Sequence, residues 1–215
     1  MTSLLDQFDL VDETVTAAGV AYQMLHPRSA DDLIDEEDFK RDERIPYWAE
    51  IWPSARVLAE RIGQMRGEGR QFLEMGCAVG MVSTVASRVG FEVLATDYYE
   101  EALSFAQINA VRNSAPEPQV RLLDWRRWPQ DLPRFDVVAA SDVIYEKEYP
   151  ALVAEAFLRS LAPQGLGLFS DPGRRNLPAF VAECRNRGLK IECVDNVPYD
   201  DGNLKPTVQV FEIRR

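Results

Sequence analysis

Four acidic residues each close a short apolar run: Glu74 after Phe72-Leu73, Asp97 after Leu94-Ala95-Thr96, Asp124 after Leu123, and Asp142 after Val137–Ala140 and Ser141. If those runs are neighbouring strands of one parallel sheet, their ends share a rim. Ligands of open α/β sheets bind at that rim, where the strand order reverses. Carboxylates gathered there accept hydrogen bonds from a ligand's hydroxyl and amino groups.

The residues around these carboxylates narrow the chemistry. In Glu74-Met75-Gly76-Cys77-Ala78-Val79-Gly80, small side chains let backbone N–H groups approach a ligand at the start of a helix. The G-x-G-x-x-G pattern of dinucleotide sites fails at two of its three glycines, where Ala78 and Met81 stand. Asp97 lies 21 residues beyond Gly76, the spacing at which an acid chelates ribose hydroxyls, and Tyr98 beside it can pack on an adenine. The plain structural alternatives are a tight turn for the loop and a helix cap for Asp97.

Asp124 is followed by Trp125, and Trp128 lies close by; both rings could equally be core aromatics. Asp142 opens a D-x-x-Y sequence ending at Tyr145, with a turn aspartate as its structural alternative. Trp48 and Trp52 are four apart and would share one helical face, although Pro53 argues that the helix begins only there. Their alternative role is to pin an N-terminal extension onto the sheet. Ser170-Asp171-Pro172-Gly173-Arg174 could line an acceptor pocket, although Pro-Gly by itself signals a turn.

The elements that must position these residues follow from the hydrophobic pattern. Helices are expected from Pro53 past Ile62, over Val79–Val89, Glu100–Arg112 and Tyr149–Leu161, and from Pro178 to Arg187. Strands are expected at Phe72-Leu73, Phe91–Thr96, Val120–Leu123, Phe135–Ser141 and Gly167–Ser170. Strand and helix alternate at least four times, the pattern of a parallel, doubly wound sheet. The last two strands, Lys190–Val194 and Val208–Ile213, have no helix between them and read as an antiparallel pair at one edge. Residues 1–45 read as an extension, with a short hairpin around Thr14–Leu25 and a solvated acidic run, Asp31–Arg44; residues 46–215 form the main domain.

Composition excludes several classes. Apolar residues make up 46% and charged residues 27%, suiting a globular domain with a real core. No apolar stretch is long enough for a membrane span, and the acidic N-terminus lacks a secretory pattern. A net charge of −11 opposes non-specific nucleic-acid binding, so no nucleic-acid partner is expected. Cys77, Cys184 and Cys193 lack metal-ligand spacing and read as reduced thiols of a cytoplasmic protein. A single His26 removes most zinc and catalytic-triad readings, so no metal is expected.

The loop Glu74, Gly76, Gly80 resembles motif I of the class I S-adenosylmethionine-dependent methyltransferases, departing from E-x-G-x-G-x-G at Ala78. D-x-x-Y resembles the strand-four motif of seven-β-strand protein-lysine methyltransferases. With the segment Pro46–Ser54 and the D-P-G-R turn, the chain is similar to the group that includes the electron-transfer-flavoprotein β-subunit lysine methyltransferase and its bacterial relatives. The resemblance runs from about Tyr47 to Arg174 and implies a Rossmann-like, seven-stranded, mostly parallel sheet with an antiparallel C-terminal strand. It further implies that Gly76, Cys77, Ala78 and Gly80, with Glu74, line the methionine part of S-adenosylmethionine. Asp97 would hold the ribose, Asp124 and Trp125 border the adenine, Ser141 lie beside the cofactor and Trp52 cover it.

The expected reaction is N-methylation, of a protein lysine or of a small amine or nitrogen heterocycle, with Asp142 holding the acceptor nitrogen and Tyr145 shaping its channel. The alternative from another class is a non-catalytic binding module that keeps the fold. An NAD-dependent oxidoreductase comes third, opposed by Met81.

Overall fold

The computed structural model describes residues 4–30, 46–200 and 202–215. Among the described residues, nine strands and five α-helices run, in chain order, as β1 (Leu10–Ala17), β2 (Val20–Pro27), α1 (Pro53–Gly63), β3 (Gln71–Met75), α2 (Met81–Arg88), β4 (Glu92–Asp97), α3 (Glu100–Arg112) and β5 (Gln119–Leu122). They continue as β6 (Phe135–Ser141), α4 (Tyr149–Ser160), β7 (Leu161–Asp171), α5 (Leu177–Asn186), β8 (Lys190–Pro198) and β9 (Thr207–Arg214). Short 3-10 turns stand at Leu4–Gln7, Tyr47–Ala49 and Trp125–Arg127.

β3 to β9 form one seven-stranded sheet in the order β5-β4-β3-β6-β7-β9-β8. All neighbours are parallel except β9, which runs antiparallel to both β7 and β8. The last strand therefore inserts between its two predecessors. Strand order reverses between β3 and β6, which places the switch point beside the glycine loop.

Period-two alternation divides the apolar side chains between two cores. Phe72 of β3, with Val137 and Ala139 of β6, joins the core under α1, α2 and α3. Leu73, with Val138 and Ala140, joins the core under α4 and α5, where Phe157, Phe169 and Phe180 meet. Unbroken apolar stretches such as Val137–Ala140 are what a strand covered on both faces needs.

Two expected boundaries shift. β7 reaches back to Leu161, beyond the expected Gly167, through the polar stretch Pro163–Gly165. Its pairing with β6 is irregular between Phe135 and Val137, and that irregularity accommodates the break in apolar pattern. The two tryptophans do not share a helical face: Trp52 is the extended residue before α1, because Pro53 takes the first helical position.

β1 and β2 form a separate antiparallel hairpin around the two-residue turn Ala18-Gly19, both with positive φ as such turns require. The open edge of β2 is paired by side chains of α3. Asn109 accepts from the Leu25 N–H (2.7 Å) and donates to the Leu25 carbonyl (2.9 Å). Asn113 does the same with Gln23, at 2.8 and 2.9 Å. Two amides thus stand in for a neighbouring strand and cover an edge that would otherwise invite pairing. Tyr22 and Met24 are buried beneath the hairpin. The run Asp31–Arg44 lies outside the described residues.

Candidate active site

The carboxyl ends of β3, β4, β5 and β6 surround a cleft of about 750 Å³, its open mouth included. Its walls include Trp52, Gly76, Ala78, Asp97, Tyr98, Asp124, Trp125, Ser141, Asp142 and Tyr145. A smaller chamber of about 320 Å³ shares Trp52, Gly76, Ala78 and Ser141 with the cleft and adds Glu50, Glu74 and Cys77. Volumes and walls of this kind suit a nucleoside with a short polar tail.

Asp97 is 8% exposed and fixed by three backbone donors: Ala78 N–H to Oδ2 at 2.9 Å, and Tyr98 and Tyr99 N–H to Oδ1 at 2.7 and 3.1 Å. Burial pushes its pKa above the usual carboxylate value, against the pull of these donors. The residue is thus both a turn-shaping cap just before α3 and an acceptor lining the cleft. Ala78, the departure from the glycine pattern, adopts φ +49°. An alanine in that left-handed region costs about 1–2 kcal/mol over glycine, which the Asp97 bond to its N–H offsets in part.

The loop's glycines serve different ends. Gly76 lines both spaces, and a Cβ there would lie 2.9 Å from Val143 Cγ1 and 3.6 Å from the Trp125 ring, so its absence opens the floor. Gly80 lines neither space. It sits at the N-cap of α2 with φ +81°, and a Cβ would lie 2.5 Å from Ala106 Cα, so it lets α2 and α3 approach. Glu74 and Cys77 face the smaller chamber and are absent from the lining of the larger cleft. Glu74 is 2% exposed, accepts from the Ser83 hydroxyl, and is pushed by burial to a pKa of about 8. Burial also pushes the Cys77 thiol well up, which leaves it a small neutral wall residue.

At the other end, Asp124 is engaged by Arg126, whose guanidinium meets both carboxylate oxygens at 2.9 Å while its N–H donates at 3.0 Å. The same guanidinium lies 5.7 Å from the Tyr98 ring centre. Trp125 lines the cleft, whereas Trp128 packs against the α4–α5 core outside it.

Asp142 is 7% exposed and left-handed at φ +59°, and its carboxyl accepts from Arg174 Nε. Burial pushes its pKa up against the opposing Arg174 charge. The turn carrying Arg174 is shaped by Asp171, whose Oδ1 accepts from Gly173 N–H (2.8 Å) and Arg174 N–H (2.6 Å). Asp171 is fully buried, its Oδ2 has no partner among the described residues, and burial pushes its pKa to about 6.

Edge-to-face contacts link the rings along the same wall. Tyr47–Tyr145 and Tyr145–Tyr149 are both 5.1 Å apart, and Tyr149–Trp125 is 5.4 Å. Tyr145 is 37% exposed, yet desolvation and the neighbouring Tyr149 push its pKa up, so its phenol stays protonated. Asn176 donates to the carbonyls of Ile144 (2.9 Å), Tyr145 (3.3 Å) and Glu146 (3.1 Å) and fixes that loop. Trp52 donates its indole N–H to the Tyr47 carbonyl at 2.9 Å and lines the cleft; Trp48 also reaches the cleft wall while it packs on Phe8 and Phe105.

Sequence reasoning missed Tyr47, Tyr149, Arg126 and Asn176 as parts of the site. Tyr47 lies in the segment singled out with Trp52, and Arg126 follows Asp124 by two, so a local signal existed for both. Tyr149 and Asn176 carry no such signal.

A family model for the methyltransferase domain matches residues 47–201. The mouse protein-lysine methyltransferase METTL21E is 37% identical over 112 residues, covering 46% of this chain and 46% of that protein. A ubiquinone biosynthesis O-methyltransferase of Paracidovorax citrulli is 28% identical over 138 residues, covering 62% and 58%. The chain spans about half the length of these curated relatives. Among solved structures, the Thermus thermophilus 16S rRNA N2 G1207 methyltransferase in complex with AdoMet and guanosine overlays with TM-score 0.67 at 15% identity, covering 96% of this chain and 50% of that one. That likeness concerns the fold.

Proposed function

The chain belongs to the methyltransferase-domain family, and from that premise we propose that it transfers a methyl group from S-adenosylmethionine to the nitrogen of a protein lysine side chain. Asp97 would hold the ribose and Asp124 the adenine edge, with Tyr98 and Trp125 flanking the ring. Gly76, Ala78, Glu74, Cys77 and Ser141 would bound the methionine portion in the smaller chamber, under Trp52. The donor set suits such a group: a buried carboxylate with an open acceptor position, a floor cleared by Gly76, and aromatic walls. When bound, S-adenosylmethionine supplies a sulfonium methyl carbon, and the S–CH3 bonding pair returns to sulfur as the acceptor nitrogen's lone pair takes the methyl.

The chain's own contribution is alignment and charge control. Holding the nitrogen in line can supply up to about 7–11 kcal/mol of the barrier. The acceptor must arrive without its proton, although a lysine in water holds that proton up to about pH 10.4, and a dry aromatic wall favours the neutral amine. Asp142, at the switch point and open to the cleft, would orient the amine N–H and pass the released proton to water. Tyr47, Tyr145 and Tyr149 would sheath the side chain's methylenes.

One observation carries the reading: a buried carboxylate, Asp142, stands beside an aromatic channel on the same rim as the Asp97 turn. The METTL21 relatives, named for lysine methylation, favour a lysine nitrogen over the oxygen acceptor in the name of the O-methyltransferase. Three free cysteines fit a reducing cytoplasm. Incubating the protein with radiolabelled S-adenosylmethionine and a protein extract tests the proposal. A labelled band whose hydrolysate contains methyl-lysine supports it, and label confined to small molecules sinks it. Asp142→Asn should lower turnover about 10²-fold or more while cofactor affinity holds.

A further inference from the structure

An anionic carboxylate ringed by tyrosines and a tryptophan is the ordinary recipe for capturing a methylated ammonium, through charge and through the faces of the rings. Asp142, Tyr47, Tyr145, Tyr149 and Trp52 supply that recipe here. One cation already engages its carboxylate from beside the cleft. Arg174 pairs with Asp142 and lies 5.8 Å over the Trp52 ring, with about a third of its side chain exposed.

We propose that Arg174 is a specificity-determining residue: it balances Asp142 so that the pocket admits an uncharged amine and turns away a fixed positive charge. The inference rests on the amine-methylation reading above and adds the charge state in which the acceptor is taken. Arg174 does not arrive by side-chain wandering. Its own N–H is tied to Asp171 Oδ1, the next-but-one residue, Asn176, is bonded to the loop that follows Asp142, and the Asp142 N–H donates to Ser170 O at 2.9 Å. Both sides of the ion pair are thus built from one backbone network.

The other groups facing the pair are Asp171 from the end of β7, Tyr47 from the 3-10 turn, and Tyr145 from the loop after β6. Neither Asp171 nor Arg174 lines the cleft; one Asp171 oxygen is held by two backbone N–H donors, and the Tyr145 phenol stays protonated. Arg174 stands behind the wall formed by Asp142 and Trp52, and its guanidinium offsets the charge of the carboxylate it pairs with. A quaternary or protonated nitrogen gains little there and meets Arg174 at close range. A neutral amine loses nothing and still finds an acceptor for its N–H on Asp142. The same balance would release a fully methylated cationic product instead of retaining it.

Two small probes separate the possibilities. Trifluoroethylamine is uncharged near neutral pH, and tetramethylammonium carries a fixed charge. Each is titrated into the protein saturated with S-adenosylhomocysteine, following the fluorescence of Trp52 and Trp125. The wild-type chain should bind the neutral amine and exclude tetramethylammonium. Arg174→Gln should gain about tenfold or more in tetramethylammonium affinity, as removing a close like charge implies, and Arg174→Lys should keep the wild-type order. Preference of the wild type for tetramethylammonium, or no gain in a folded Arg174→Gln, overturns the proposal. If Arg174→Gln does not fold, the wild-type order of the two probes still decides. Loss of all amine binding together with no methyl-lysine formed brings down the amine reading itself; methyl-lysine formed with a reversed probe order brings down this inference alone.

Discussion

Ala78 donates its N–H to Oδ2 of Asp97 at 2.9 Å, a bond that joins the turn after β3 to the end of β4 across the floor of the cleft. The alanine holds φ +49° in doing so, and the carboxylate takes two further N–H donors from the start of the next turn. Substitution at either end separates affinity from stability. Ala78→Gly should stabilise the fold by at most about 1 kcal/mol, because relief of the left-handed strain is partly offset by a more flexible unfolded chain. Asp97→Ala should weaken binding of S-adenosylhomocysteine by about 10- to 100-fold. Calorimetry checks the second, and urea denaturation the first.

Glu74 should make stability fall as pH rises. Its pKa is about 8 in the folded state against 4.5 for an ordinary glutamate. The folded chain thus keeps a proton that the unfolded chain releases between those values. The associated stabilisation is complete below about 4.5 and is lost as pH climbs through about 8. Glu74→Gln should flatten that decline, so the midpoint of thermal unfolding should vary less with pH than in the wild type. A variant whose profile keeps the wild-type slope would show that Glu74 does not cause it.

Asn109→Ala should cost about 2–4 kcal/mol. The side chain is fully buried and serves the Leu25 N–H, the Leu25 carbonyl and the Val79 carbonyl, each left without a partner by the substitution. Asn113→Ala should cost about 1 kcal/mol, because its bonds to Gln23 are exposed and water replaces them. Denaturant unfolding of the two variants measures the difference.

Asn176→Ala should lower turnover about tenfold or more with cofactor affinity unchanged. Its amide gathers three carbonyls of the loop bearing Tyr145, while Asn176 itself does not line the cleft. Asn176→Gln, longer by one methylene, should not rescue, and Asn176→Asp, which lacks the donor, should behave like alanine. A drop in cofactor affinity equal to the drop in turnover would reassign the residue to general support of the fold.

Local pattern made the helix Glu100–Arg112 and the strand Phe135–Ser141 legible to the residue, because apolar periodicity and a strong start coincide there. It also made legible the carboxylates at strand ends, since a parallel sheet brings them to one rim whatever the fine packing. What escaped are relationships that need the folded chain. Arg174 reaches Asp142 across 32 residues, and Asn109 reaches Leu25 across 84. Nothing local marks those partners. The tryptophan pair is read correctly only together with Pro53: spacing of four gives a shared face only inside a helix, and that helix starts after both rings. Gly80 shows how glycine answers to helix crowding as readily as to a ligand, a demand that the motif pattern alone does not reveal.

β9 lies between β7 and β8, although it follows both in the chain. Strand β8, mostly exposed along its length, has no sheet neighbour until β9 is in place, and until then β7 presents a bare flank. Assembly of this half of the sheet cannot track the order of synthesis. β8 can reach the sheet only through its pairing with the final strand. A chain released before that strand is in place would display two unpaired edges, the kind of surface that pairs with other chains.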